Sequence, residues 1–208
     1  MKTIVITGPS GSGKTYLSNK LSKLFYNSIV IKTDSYYRDN ILIRYLSIFL
    51  YDIYDRLLSI NKFEINKAIR SIYNKDTLIS FFKYDFKRKY STHSKINIKY
   101  KVDKQFLILE GIFSHRLFLN YNETINIVCE EKKEICFERR LKRDQLERGR
   151  NSEEVKKKFN KSWFLFYKNV KNFINTNQII IINPLDNNSI NNLVINLQNQ
   201  KNITKKNN

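Results

Sequence analysis

The chain has 208 residues, 41% hydrophobic and 13% aromatic content, and 38 Lys and Arg against 19 Asp and Glu, a formal net charge of +19. The apolar content excludes a disordered chain, and the length suits one domain with a small appendage. Such a charge points to a polyanionic partner, yet 27 of the cations are scattered lysines, and one alanine, two prolines and five glycines are the residue choice of an AT-rich genome. Composition then explains most of the charge, and the rare glycines are the positions to read first.

Thr3–Thr7 is a β-branched run of strand length ending at Gly8. Leu17, Leu21, Leu24 and Phe25 follow at i, i+4, i+7 and i+8, an amphipathic helix. Residues 28–33 read as a strand ending at Asp34, and 41–73 as mostly helical. Residues 78–84 and 95–102 look like two strands around a polar turn. Residues 105–109 form a buried strand ending in Glu110-Gly111, and Thr124–Cys129 another. A charged helix over 131–147, a helix over 152–174 and a strand at Ile179–Ile182 complete the pattern. Alternating short apolar strands and helices predict an α/β domain: a mostly parallel five-stranded sheet with helices on both faces and an inserted β-hairpin. The expected domain is 1–184, with the hairpin at 78–102, and the Asn- and Lys-rich residues 185–208 read as a partly disordered tail.

Cys129 and Cys136 give neither a disulfide framework nor a metal-ligand spacing, and read as free thiols of a reducing cytoplasm. The apolar run from Ile41 is too short and too soon charged to span a bilayer, so no membrane partner is expected.

Gly8-Pro9-Ser10-Gly11-Ser12-Gly13-Lys14-Thr15 satisfies G-x-x-x-x-G-K-[ST], after a strand and opening a helix. Backbone N–H groups that all point inward need close approaches only glycine allows, and the helix N-terminus adds its positive dipole end. Lys14 is expected at the β- and γ-phosphates, and the Thr15 hydroxyl on Mg²⁺. The P-loop identifies a site for ATP or GTP.

In doubly wound sheets, ligands sit beyond the carboxyl ends of the strands. Asp34 and Glu110 occupy such ends. Glu110 is placed to hold Mg²⁺ directly or through water, and Asp34 to accept a proton from an attacking hydroxyl. Residues 139–150 hold five of the eleven arginines and end at Gly149-Arg150. A solvated helix face and an RNA-binding helix are alternatives, but an Arg-rich lid over a triphosphate fits this clustering better. An arginine of that kind is worth roughly 10³–10⁵ in rate, against about 10²–10⁴ for a general base.

Together, in this order, these segments resemble the phosphoribulokinase/uridine kinase family of P-loop kinases, its uridine kinases most closely, over residues 3 to about 184. Asp34-Ser35-Tyr36-Tyr37, Tyr84-Asp85-Phe86 with Thr92-His93-Ser94, and Leu109-Glu110-Gly111-Ile112 are similar to family segments. The run Arg139-Arg140-Leu141-Lys142-Arg143-Asp144 continuing to Glu147-Arg148-Gly149-Arg150 is the most specific match. The resemblance implies phosphorylation of the 5′-hydroxyl of uridine or cytidine, with Asp34 as general base and Mg²⁺ neighbour. It implies Asp55 at the ribose hydroxyls, Tyr84 and His93 at the pyrimidine, and Arg140, Arg143 and Arg150 near phosphate and nucleoside. Arg56-Leu57-Leu58-Ser59, the extra residues Lys87-Arg88-Lys89-Tyr90 and Lys158 depart from the family pattern, all on the acceptor side. Another acceptor, such as a sugar phosphate, therefore stays open, as does a nucleic-acid-binding P-loop protein. An exposed hairpin edge leaves pairing between copies open.

Overall fold

The computed structural model describes residues 1–49, 53–101, 104–117 and 124–206, without the side chains of Arg44, Ser47, Ile48, Asp55 and residues 201–206. In chain order the elements are β1 (Thr3–Thr7), α1 (Lys14–Leu24), β2 (Ile29–Lys32), α2 (Ile41–Phe49), α3 (Lys62–Tyr73), β3 (Leu78–Asp85) and β4 (Tyr90–Asn97). They continue with β5 (Leu107–Glu110), β6 (Thr124–Cys129), α4 (Lys133–Arg148), α5 (Ser152–Thr176), β7 (Ile179–Ile182) and α6 (Asn187–Lys206).

The five-stranded sheet has the order β2-β5-β1-β6-β7, and every pairing in it is parallel. Its central strands β1 and β5 are buried on both faces, which is why they read as unbroken apolar runs. Alternation splits them between two cores. Val5, Ile31, Leu107 and Leu109 face α3 through Ile65, Ala68, Ile69 and Ile72. Ile4, Ile6, Ile108 and Ile127 face Leu17 and Leu21 of α1. The fold is the expected α/β architecture with helices on both sides.

Two expectations change. The segment past Pro184 is no loose tail, because it forms α6, whose Ile190, Leu193 and Leu197 are buried against α1 and the sheet. The spacing i, i+3, i+7 makes one apolar stripe, hidden in the sequence by the asparagines between. The second hairpin strand runs over Tyr90–Asn97 rather than 95–102, paired antiparallel from Leu78↔Asn97 to Asp85↔Tyr90. Most of β4 is solvent-exposed, so it lacks the apolar alternation that marks a strand. The extra residues Lys87, Arg88 and Lys89 make the tight turn: Asp85 accepts from the amides of Lys87 (2.8 Å) and Arg88 (3.0 Å), and Lys89 takes φ 51. Among the described residues, no helix is long and apolar enough to cross a membrane.

Candidate active site

Parallel register brings three chemistry-bearing strand ends to one edge. Ile6 pairs with Glu110, and Lys32 pairs with Glu110 from the other side. The loop after β1, the Thr33–Ser35 turn after β2 and the end of β5 therefore face a common cavity of about 490 Å³.

The loop after β1 forms the phosphate cradle. Gly13 takes φ 87 and caps α1, leaving the first amides of the helix without intrahelical partners and aimed outward. Gly11 takes φ 89, and a Cβ there would collide with the Cys136 carbonyl of α4. Gly8 lies as tightly: an added Cβ would stand 2.6 Å from Ser12 Oγ and 2.7 Å from the Cys129 carbonyl. The Ser12 amide donates to the Pro9 carbonyl at 3.2 Å, and Lys14 Nζ donates to the same oxygen at 2.9 Å. Ser10, Gly11, Gly13, Lys14 and Thr15 line the cavity, with Pro9 and Ser12 behind them.

The two acids converge as expected. Asp34 accepts from the Ile112 amide at 3.2 Å, and burial raises its carboxyl above the usual range although Lys14 and Arg143 pull the other way. Burial also raises Glu110, opposed by Lys14. Thr15 Oγ1 donates to Glu110 Oε1 at 3.2 Å. A hydroxyl and two carboxylates are the hard oxygen donors that suit Mg²⁺, which binds through one or two carboxylates plus phosphate and water. Among the described residues there is no group of three or more His, Cys, Asp or Glu to hold a metal. The residues thus fit a Mg²⁺ ion shared with phosphate oxygens.

The arginine segment is helical through Arg148, and Gly149, at φ 63, ends α4 and turns the chain into α5. Arg143 reaches the cradle, its Nη2 standing 3.4 Å from Ser10 Oγ. Arg140 is nearly buried and donates to Ser162 Oγ, while Arg150 pairs with Glu154 at 3.6 Å. All three line the cavity. Two further arginines, not singled out beforehand, do so as well. Arg139 donates to the Gly11 carbonyl at 3.1 Å. Arg148 lays its guanidinium 3.7 Å over the Phe86 ring, and burial beside Arg143 pulls its pKa down to about 10. Their membership in the cluster was the available signal.

The acceptor side is rearranged relative to expectation. Tyr37, Tyr54 and Phe86 supply the aromatic wall. Tyr84 does not line the cavity; it stands behind, its hydroxyl donating to Tyr54 Oη at 3.0 Å and its ring packed on Tyr37 and Phe86. His93 is not brought to the cavity either, lying exposed on β4 against the Phe82 ring. It faces Phe82 across the ladder, two residues from the Tyr84↔Ser91 pair, a distance that sequence spacing alone does not reveal. The Asp55 side chain lies outside the described residues, although its backbone closes the Ile53–Asp55 turn beside Tyr54. Lys158 lines the cavity and pairs with Glu154 at 2.8 Å.

Comparison with known proteins agrees with this layout. The model of the Phosphoribulokinase / Uridine kinase family matches residues 3–190. A uridine kinase of Ureaplasma parvum serovar 3 is 33% identical over 156 residues, 73% of each chain. A uridine kinase of Borrelia turicatae is 31% identical over 157 residues, 74% of this chain and 73% of its own. Among solved structures, the YGR205w protein superposes with a TM-score of 0.59 at 17% identity, covering 88% of this chain and 86% of that one; this likeness concerns the fold. The family match runs from β1 into α6 and takes in the whole cavity lining, so the chain belongs to the phosphoribulokinase/uridine kinase family.

Proposed function

We propose that the protein is an ATP-dependent nucleoside kinase that phosphorylates the 5′-hydroxyl of uridine or cytidine, in cytoplasmic pyrimidine salvage. One observation carries the reading: Asp34 is half-buried and oriented by the Ile112 amide, in the same cavity as Lys14, Arg143 and an aromatic wall. The similarity to uridine kinases of Ureaplasma and Borrelia supports the nucleoside as acceptor.

The donor supplies a γ-phosphoryl group; Thr15, Glu110 and Asp34 would hold a Mg²⁺ ion, which would supply charge neutralisation to the phosphates. Lys14 turns from the Pro9 carbonyl to phosphate oxygens, which reward the ammonium more than a neutral acceptor does. The cradle amides and Arg143 fix the phosphates from two sides, and Arg140 and Arg150 act at the border of phosphate and acceptor. Asp34 takes the proton of the attacking hydroxyl, and burial makes its carboxylate a stronger base than one in water. Tyr37, Tyr54 and Phe86 offer faces to a flat base, with Asp55 the acid for the ribose diol and Tyr84 bracing Tyr54. Closure of 139–150 over the phosphates excludes water and limits ATP hydrolysis.

Lys158 and Arg148 in the lining favour a second reading, in which the acceptor itself carries an anion, such as a sugar phosphate. Incubation with Mg²⁺, ATP and a panel of nucleosides and phosphorylated sugars separates the two by which compound drives ADP formation. ADP formation that depends on no acceptor refutes both. RNA or DNA binding with a steep salt slope, without turnover, would favour the nucleic-acid-binding alternative.

A further inference from the structure

Asp144 does not line the cavity, yet it is the residue on which the arginines converge. Its side chain is fully buried near the C-terminal end of α4, beside the turn into α5. Oδ1 accepts from Arg143 Nη2 at 2.8 Å and Nε at 3.0 Å, and Arg148 Nη1 stands 3.5 Å away. Oδ2 accepts from Arg150 Nη1 at 2.8 Å, with Arg140 Nε at 3.7 Å. The Asp144 carbonyl also accepts from the amides of Gly149 and Arg150, tying the helix end to the link.

The sequence explains the convergence. Arg140, Asp144 and Arg148 are spaced i, i+4, i+8 on one face of α4, Arg143 is adjacent, and the αL turn at Gly149 brings Arg150 back over the same carboxylate. Burial alone would raise the Asp144 carboxyl, but Arg143, Arg148 and Arg140 outweigh it and hold it below the usual range. It therefore stays ionised. Four guanidinium groups gathered without that charge would repel one another apart.

We propose that Asp144 is the positioning residue of the lid, its buried carboxylate setting the spacing and orientation of Arg140, Arg143, Arg148 and Arg150 toward nucleotide and acceptor. The proposal rests on the kinase reading of the cavity. Arg143 carries the most direct consequence, because the same Nη2 that meets Asp144 stands beside Ser10 of the phosphate cradle. Arg148 carries the acceptor-side consequence through its stack on Phe86.

A positioning role and simple charge balance predict opposite signs for ATP affinity. Asp144→Asn keeps the side-chain shape, removes one negative charge beside an anion site and puts NH₂ donors against arginine donors. Balance alone would leave ATP binding unchanged or tighter. Positioning makes it weaker. By equilibrium binding of ATP with Mg²⁺ we expect a Kd raised about fivefold or more at unchanged stoichiometry, which shows the variant folded. Arg143→Ala combined with Asp144→Asn should lie within about twofold of Arg143→Ala alone, since Asp144 acts through Arg143 on this side. With the acceptor found for the wild type, more ADP should form per phosphorylated acceptor in Asp144→Asn than in the wild type. Unchanged or tighter ATP binding, or fully multiplicative effects in the double variant, overturns the proposal. Should the Asn variant not fold, Asp144→Glu, which keeps the charge but displaces it by a methylene, carries the same ATP measurement, and wild-type affinity there overturns it. A wild-type protein with no acceptor-dependent turnover overturns the kinase reading instead, while the ATP measurement still decides the role of Asp144.

Discussion

Gly111 offers a way to move the proposed base without changing any charged residue. It follows Glu110 and lies against the turn that carries Asp34. A Cβ built there would stand 2.7 Å from Asp34 Oδ1, closer still to Thr33 Oγ1, and 3.2 Å from Asp34 Cγ. Ordinary contact begins near 3.4 Å, so in Gly111→Ala the Asp34 carboxylate must retreat by about 0.7 Å. It cannot retreat freely: the Ile112 amide donates to both oxygens, at 3.2 and 3.4 Å, and Thr33 Oγ1 is tied to the Glu110 carbonyl at 3.2 Å. Overpacking of this kind costs about 1–3 kcal/mol, which lowers Tm by roughly 2–12 °C in a chain of this size. A misplacement approaching 1 Å costs about 10²-fold in rate, within the 10²–10⁴ attributed to a general base. We expect kcat to fall about 100-fold while the Kd for ATP stays within about threefold, because the three atoms nearest the added Cβ belong to Thr33 and Asp34 rather than to the cradle. The assay is coupled ADP release with the active acceptor, beside a thermal melt and nucleotide titration. A folded Gly111→Ala protein with kcat within threefold of wild type would refute the role given to Asp34.

Further variants probe other parts of the site. Lys14→Ala should lower kcat at least 100-fold and weaken ATP binding, since the lysine that the phosphate loop itself supplies is lost; unchanged steady-state rates would contradict the assignment. Asp34→Asn should lower kcat at least 100-fold with ATP binding largely kept. The same variant should raise Tm at pH 7. A carboxyl whose pKa is raised in the folded state favours folding below its unfolded pKa and loses that contribution as pH rises through the folded value. Asn removes this neutral-pH penalty, and a lowered Tm would be evidence against it. For the wild type, the acid limb of kcat/KM should lie above the ordinary Asp range and vanish in Asp34→Asn, which a pH–rate profile checks. Leu193→Ala in α6 should cost about 2–5 kcal/mol by chemical denaturation, whereas a change under 0.5 kcal/mol would mean that α6 does not close the core.

What the sequence made legible follows from how narrowly chemistry constrains residue type. The cradle was readable because phosphate must approach backbone closely, and three of the five glycines stand where that happens. Asp34 and Glu110 were readable because parallel strands deliver their carboxyl ends to one edge. Placement across the hairpin was not readable. Tyr84 and His93 sit two rungs apart on one ladder, and only the docking of β3 on Tyr37 and Tyr54 decides that Phe86 reaches the cavity while they do not. Asp144 was hidden for a different reason. Its importance lies in five donor atoms arriving from four side chains, a convergence that exists only once Gly149 has turned the chain. In α6, asparagines masked a stripe of three apolar residues that becomes evident against a prepared surface.

The covering of α1 by α6 also has a consequence for synthesis of the chain. The phosphate loop is translated long before α6, but Gly13 rests against Pro184, and Leu17 and Leu21 share their core with Ile190, Leu193 and Leu197. The two strands that flank β1 are likewise more than a hundred residues away along the chain. A ribosome therefore releases the sequence of the nucleotide site well before its foundation. Until α6 is made the loop lacks part of its support, and the exposed face of α1 is a surface for chaperones rather than for ATP. Nucleotide binding then reports on synthesis through α6, because that helix supports a loop translated long before it.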